Sequence, residues 1–385
     1  MNEIQEILDS AVCSGESAGC SAIVLRDGKE LFYGASGYAD REAGKKVERD
    51  TIFRIYSMTK PVTAAAVMLL VQEGKLNLLD PVSFWLPGFR DQKVAKNGEL
   101  VPVRREMAVR DLMNMTSGLV YPGGSEAGKA VRDVYAAVFA EGGMTTVEAA
   151  NAIGRCSLAF HPGESWEYGT SAEVLGALVE AVSGMKFGDF LAERFFVPLG
   201  MKDTAFYVPQ EKQERLAAIY RITENGPVRA DDRDYSLGPC VTKTSRPAFE
   251  AGGGGLVSTI DDYARFGTML LTGRGPDGRE IIKPRTLRAL TGSRLEERQQ
   301  KVFSEKEYRF PGYSYGNLMC VLKEEEKAGI LASEGEYGWH GMLGTWFRNS
   351  PAEKITMIYM EQQLGGRTVP FHRLCNAVMV GEKFS

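Results

Sequence analysis

The chain has 385 residues, 44% of them hydrophobic and 25% charged, with a formal net charge of -4. That length allows one large domain or two intimate ones, the composition is that of a soluble globular protein, and the lack of a long basic run argues against a nucleic-acid surface. The longest apolar stretch, residues 62–71, is too short to span a bilayer.

In chain order, residues 1–8 are acidic and amphipathic, without the basic segment and continuous apolar core of an export signal. A cytoplasmic location is therefore expected. Ile4, Ile7, Leu8 and Val12 recur at helical spacing over 2–13. Two strand-like segments follow, 21–25 and 30–34, joined by the hairpin signal Asp27-Gly28. A helix over 57–72 ends near Gly74. Residues 76–310 mix helices with Gly/Pro-rich loops, and the clearest helices are 172–182 and 260–271. Strands return at 315–322, 344–348 and 354–362, and a final helix covers about 369–382. The pattern predicts an α+β fold, an antiparallel sheet built from both chain ends (about 1–75 and 311–385) with helices packed on it. A mainly helical lobe, about 76–310, is inserted between those ends, and the cleft between the lobes is the expected small-molecule site.

Six cysteines are scattered without C-x-x-C spacing, so reduced, mostly buried thiols are expected rather than a disulfide framework. The three histidines, His161, His340 and His372, form no closely spaced pair, and neither a metal nor another cofactor is expected.

Three segments carry chemistry. In Ser57-Met58-Thr59-Lys60 the helical i,i+3 spacing sets an amine beside a hydroxyl. A serine is a weak nucleophile until a neighbouring base takes its proton, and a lysine serves if its amine is neutral, a state favoured by a helix N-terminus and a desolvated pocket. In Pro162 through Ser171, Tyr168 lies on a turn leading into a helix, where a phenol can relay a proton between nucleophile and leaving group. In Trp339-His340-Gly341-Met342, a glycine on an edge strand would let a substrate carbonyl approach the backbone, with the next N–H donating to an oxyanion.

In this order the three segments resemble the serine β-lactamase and penicillin-recognising superfamily, in particular its class C β-lactamase and family VIII carboxylesterase branch. Further likeness lies in Phe53-Arg54-Ile55, Thr116-Ser117-Gly118-Leu119, Pro198-Leu199-Gly200-Met201 and Gly253 through Thr259, so it spans roughly 5–380. The resemblance implies that Ser57 is the acyl-forming nucleophile, Lys60 its proton partner and Tyr168 the general base and acid. The backbone N–H groups of Ser57 and Met342 then form the oxyanion hole, and Trp339, His340, Gly341 and Thr170 contact substrate. Three departures favour esterase-like work on a small neutral ester or amide over β-lactam hydrolysis. Thr170 stands where class C enzymes carry an asparagine, Trp339-His340 replaces a Lys-Thr pair, and the export signal is missing. A β-lactamase or D-amino-acid peptidase remains the alternative reading, and a non-catalytic binding protein on this fold is a third.

Two further motifs are read as coincidental. Gly15-Glu16-Ser17-Ala18-Gly19 matches the nucleophile elbow of α/β-hydrolases, but a helix precedes it and a strand follows, the reverse of that motif. Lys243-Thr244-Ser245 imitates a K-T-G box without its glycine.

Overall fold

The computed structural model describes residues 2–140, 143–230, 244–364 and 369–380. Asp27 and Gly28 both take positive φ (50° and 75°), the geometry of a tight hairpin turn, and they join strand Gly19–Arg26 to strand Lys29–Asp40. The last long strand, Ile355–Glu361, pairs antiparallel with Gly19–Arg26, from Cys20 opposite Glu361 to Arg26 opposite Ile355. Residues from the two chain ends thus meet in the middle of one eight-stranded sheet. In sheet order its strands are Tyr313–Gly316, Met319–Leu322, Tyr337–His340, Trp346–Ser350, Ile355–Glu361, Gly19–Arg26, Lys29–Asp40 and Lys45–Lys46, each antiparallel to its neighbours.

One face of the sheet is covered by the terminal helices Asn2–Cys13 and Val369–Val380, whose Ile4, Leu8, Phe371 and Leu374 bury against Val24, Trp346 and Met357. The other face packs on helix Ile260–Thr272, with Tyr263 edge-on to Phe347 at 5.5 Å between ring centroids. Beyond that helix lies Thr59–Gln72, mostly apolar and buried on every side from Thr59 to Leu70, the signature of a helix inside a core rather than on its surface. Helix Ser171–Ser183 packs in the same cluster and is buried from Ser171 to Glu180.

One expectation is corrected. The single strand over 315–322 is a hairpin, because Asn317 and Leu318 adopt φ of 50° and 63° and reverse the chain between Tyr313–Gly316 and Met319–Leu322. Both arms are largely buried, so no alternation of apolar and polar residues separates them, and the Gly316-Asn317 pair was the one local mark of the turn. The stretch over 76–310 also holds short strands, the hairpin Lys93–Lys96 with Glu99–Pro102 and the pair Tyr220–Thr223 with Gly226–Arg229. Among the described residues no helix is long and apolar enough to cross a membrane.

Candidate active site

Ser57 sits in a 3-10 turn, Tyr56–Met58, that runs directly into helix Thr59–Gln72. Residues three apart nearly eclipse in a 3-10 turn, which carries the Lys60 side chain over the serine. Lys60 Nζ lies 3.1 Å from Ser57 Oγ, and the lysine is fully buried. Tyr56, just before Ser57, has φ of 41°, a conformation that costs a bulky residue roughly 1–3 kcal/mol. It is held there by packing with Ile219, Met342 and Leu343.

Tyr168 arrives from a loop 111 residues away, and its hydroxyl lies 2.8 Å from Ser57 Oγ. The loop is anchored by Trp166, which is 1% exposed and packs edge-on to Phe303 and Tyr315 at 5.0 and 5.5 Å. Gly169 is required there, because a Cβ would come within 2.1 Å of the Leu119 carbonyl oxygen. Ser57, Lys60 and Tyr168 therefore meet at one point. Lys60 Nζ also stands 4.7 Å over the Tyr168 ring centroid, close enough for a cation–π contact.

Trp339 closes the site from the sheet. Its indole N–H donates to the Tyr168 hydroxyl at 3.1 Å, and its ring lies 5.5 Å from that of Tyr168. Strand Tyr337–His340 is interior to the sheet rather than an edge, and Gly341 follows it. A Cβ on Gly341 would fall 2.2 Å from Thr345 Oγ1 and 2.5 Å from the Ile55 carbonyl oxygen. The glycine thus lets its own chain close onto the segment entering Ser57, in a turn where Gly341 N–H donates to Thr345 O at 2.8 Å. Met342 sits on that turn and packs beside Tyr56. Thr170 is buried at the start of helix Ser171–Ser183, and its hydroxyl has no hydrogen-bond partner among the described residues.

The His340 ring lies beside that of Trp339, at 4.8 Å between centroids. It stacks on Trp346 at 4.7 Å and packs against Phe310 at 5.6 Å. Desolvation, helped by the positive charges of Arg309 and Lys60, lowers its imidazole to about 3. The unfolded chain takes up that proton below the ordinary 6.5, while the folded chain resists until about 3, so falling pH opposes folding across that window. Replacing His340 with phenylalanine is expected to shrink the stability lost between pH 7 and pH 5 by about 1–2 kcal/mol, measured by urea unfolding at the two pH values.

Glu173 escaped the reading of motifs, and no contact with Lys60 was assigned there to Tyr121 or Gly253. Lys60 Nζ also donates to the Gly253 carbonyl at 2.7 Å and to the Tyr121 hydroxyl at 3.1 Å, and Tyr121 in turn donates to Glu173 Oε1 at 3.3 Å. Glu173 is 5% exposed, and burial raises its carboxyl against the pull of Lys60. One signal was available: Glu173 and Glu180 are the charged residues of an otherwise apolar helix. The run Gly252 to Gly255 brings backbone against this cluster, since a Cβ on Gly253 would fall 2.2 Å from Glu173 Oε1. Of the two coincidental motifs, Ser17 is buried between the end of helix Asn2–Cys13 and strand Gly19–Arg26, and Lys243 lies outside the described residues.

This geometry has counterparts in known proteins. A family model described as Beta-lactamase matches residues 4–373. The chain is similar to Esterase EstB of Burkholderia gladioli, 31% identical over 360 residues that cover 89% of this chain and 86% of the esterase. An uncharacterized protein of Mycobacterium tuberculosis is 34% identical over 367 residues, covering 93% of this chain and 88% of that one. Among solved structures, EstCE1, a hydrolase with promiscuous acyltransferase activity, superposes with a TM-score of 0.84 at 25% identity, covering 98% of each chain.

Proposed function

The chain belongs to the beta-lactamase family and is a serine hydrolase, and from that premise we propose that it cleaves or transfers the acyl group of small neutral esters through an acyl-enzyme on Ser57. The observation that carries this reading is the convergence of Ser57 Oγ with Lys60 Nζ at 3.1 Å and the Tyr168 hydroxyl at 2.8 Å.

Ser57 Oγ attacks the ester carbonyl as its proton passes to Tyr168. The oxyanion is held by the backbone N–H groups of Ser57 and Met342, donors that act where the negative charge develops. Tyr168 then returns the proton to the departing alcohol, and Lys60 balances the charge changes within the buried cluster. Water, or a second alcohol, attacks the acyl-enzyme with Tyr168 again taking the proton, and Ser57 is released. The promiscuous acyltransferase activity of EstCE1 supports the second branch. Trp339 favours a neutral substrate: its indole N–H supports the Tyr168 oxygen without adding a cation to draw in a substrate carboxylate. His340, Gly341 and Thr170 are assigned to the walls around the acyl group, consistent with their positions beside Trp339 and Tyr168.

Intact-mass measurement during turnover of para-nitrophenyl butyrate and of a chromogenic cephalosporin tests the reading. The expected result is a butyryl adduct on Ser57, with kcat/KM for the ester at least about a hundredfold above that for the cephalosporin. A cephalosporin adduct without ester turnover would instead support the β-lactamase or peptidase alternative. An unmodified Ser57 with both substrates, and with a fluorophosphonate probe, rejects the acyl-enzyme.

A further inference from the structure

The mechanism above needs Tyr168 to accept the proton of Ser57, and the hydrogen bonds admit two starting patterns, of which only one leaves the phenol oxygen free to do so. Lys60 Nζ is surrounded by three oxygens, of Gly253, Tyr121 and Ser57. The Gly253 carbonyl only accepts, and the Tyr121 oxygen accepts from Lys60 because its own proton goes to Glu173. In one pattern Lys60 is an amine that accepts from Ser57, while Tyr168 is a phenol that donates to Ser57. In the other, Lys60 is an ammonium that donates to all three oxygens, and Ser57 donates to Tyr168 as a phenolate, which also accepts from the Trp339 indole at 3.1 Å. Both satisfy every hydrogen bond. They differ only by two protons moved along the chain, from Tyr168 to Ser57 and from Ser57 to Lys60.

We propose that Glu173, acting through the Tyr121 hydroxyl, is a positioning residue that keeps the proton on Lys60 and so makes Tyr168 the base that activates Ser57. The inference rests on the acyl-enzyme reading and deepens it. Charge breaks the tie between the two patterns. Glu173 is 5% exposed, with the hydroxyls of Tyr121 and Tyr135 beside its carboxyl. A buried carboxylate is costly unless a cation is near. Lys60 from helix Thr59–Gln72, Tyr121 from the loop before helix Glu126–Val138, Tyr135 from that helix, and Tyr168 beyond Tyr121 are the titratable groups facing this cluster. Of these, Lys60 alone is basic. Gly253 lets the carboxylate sit this close, because any side chain there would occupy the position of its oxygens. Burial raises the Glu173 carboxyl and Lys60 opposes the rise, so the two charges stabilise one another.

The test is the pH profile of kcat/KM for para-nitrophenyl butyrate in wild type, Glu173→Gln, Glu173→Asp and Tyr121→Phe. Removing the anion takes away the charge that holds the proton on Lys60. In Glu173→Gln the alkaline limb is expected to descend by about one to three pH units, the influence of one charge at this range, with a smaller move of the acid limb. Tyr121→Phe, which keeps the ring and loses the link, is expected to move the alkaline limb the same way, and Glu173→Asp to restore it. A uniform fall in rate with both limbs unmoved would reduce Glu173 to packing and overturn the inference, as would a larger shift of the acid limb, which would make Lys60 the base. If Glu173→Gln does not fold, judged by its melting temperature, the Tyr121→Phe profile decides by the same criterion. A wild-type protein that neither turns over the ester nor takes up a fluorophosphonate on Ser57 removes the acyl-enzyme reading and this inference together, whereas an active wild type with unmoved variant profiles removes this inference alone.

Discussion

Ser57→Ala is expected to lower kcat for para-nitrophenyl butyrate by a factor of about 10^4 to 10^6, the range seen when a serine hydrolase loses its nucleophile. The fold should survive, because the lost hydroxyl sits at the junction of a 3-10 turn and a helix whose core contacts lie elsewhere. The unfolding midpoint should therefore move little while the burst of para-nitrophenol disappears. What remains of the site, the proposed oxyanion donors and the substrate walls, cannot form the covalent intermediate, so the butyryl mass adduct should vanish with the activity. Turnover at the wild-type rate in this variant would remove Ser57 from the reaction, and with it the roles given to Lys60 and Tyr168.

The second large effect is at Tyr168. Phenylalanine keeps the ring against Trp339 and Tyr121, at centroid distances of 5.5 and 5.7 Å, and deletes only the hydroxyl that contacts Ser57. The expected loss in kcat/KM is about 10^2 to 10^4, the usual worth of one positioned general acid–base. It should fall on acylation and deacylation alike, because the same phenol serves both. Activated esters, whose leaving groups need no proton, should suffer less than alkyl esters, and comparing para-nitrophenyl with ethyl butyrate measures this. Equal losses on the two esters would mean that Tyr168 does not deliver the proton to the leaving group. The deletion also leaves the Trp339 indole N–H without its acceptor in a site where that tryptophan is 2% exposed, so a modest loss of stability should accompany the kinetic one.

Much of this architecture was legible in the chain itself. The 2–13 helix, the Asp27-Gly28 hairpin and the helix after Ser57 follow from local periodicity and turn chemistry, and they stand as Asn2–Cys13, the Gly19–Arg26/Lys29–Asp40 hairpin and Thr59–Gln72. The three chemical segments could be named because each carries its signal within a few residues. Local pattern misled at 315–322, where burial on both faces erased the alternation that exposes a turn, and at Gly341, where the need for a glycine comes from Ile55, distant in the chain.

The sequence by itself therefore determined the pairing of Ser57 with Lys60, because the two are bound by a backbone spacing that no tertiary contact has to supply. It also determined that sheet strands would come from both ends of the chain. Only the tertiary structure decided how Tyr168 is wired to Trp339, and that Lys60 touches Tyr121 and, through it, Glu173. Those partners lie 52 to 171 residues apart. Side-chain hydrogen bonds over such separations arise when packed helices and strands enclose polar groups and leave them only one another as partners, a result of three-dimensional burial that a one-dimensional pattern does not carry.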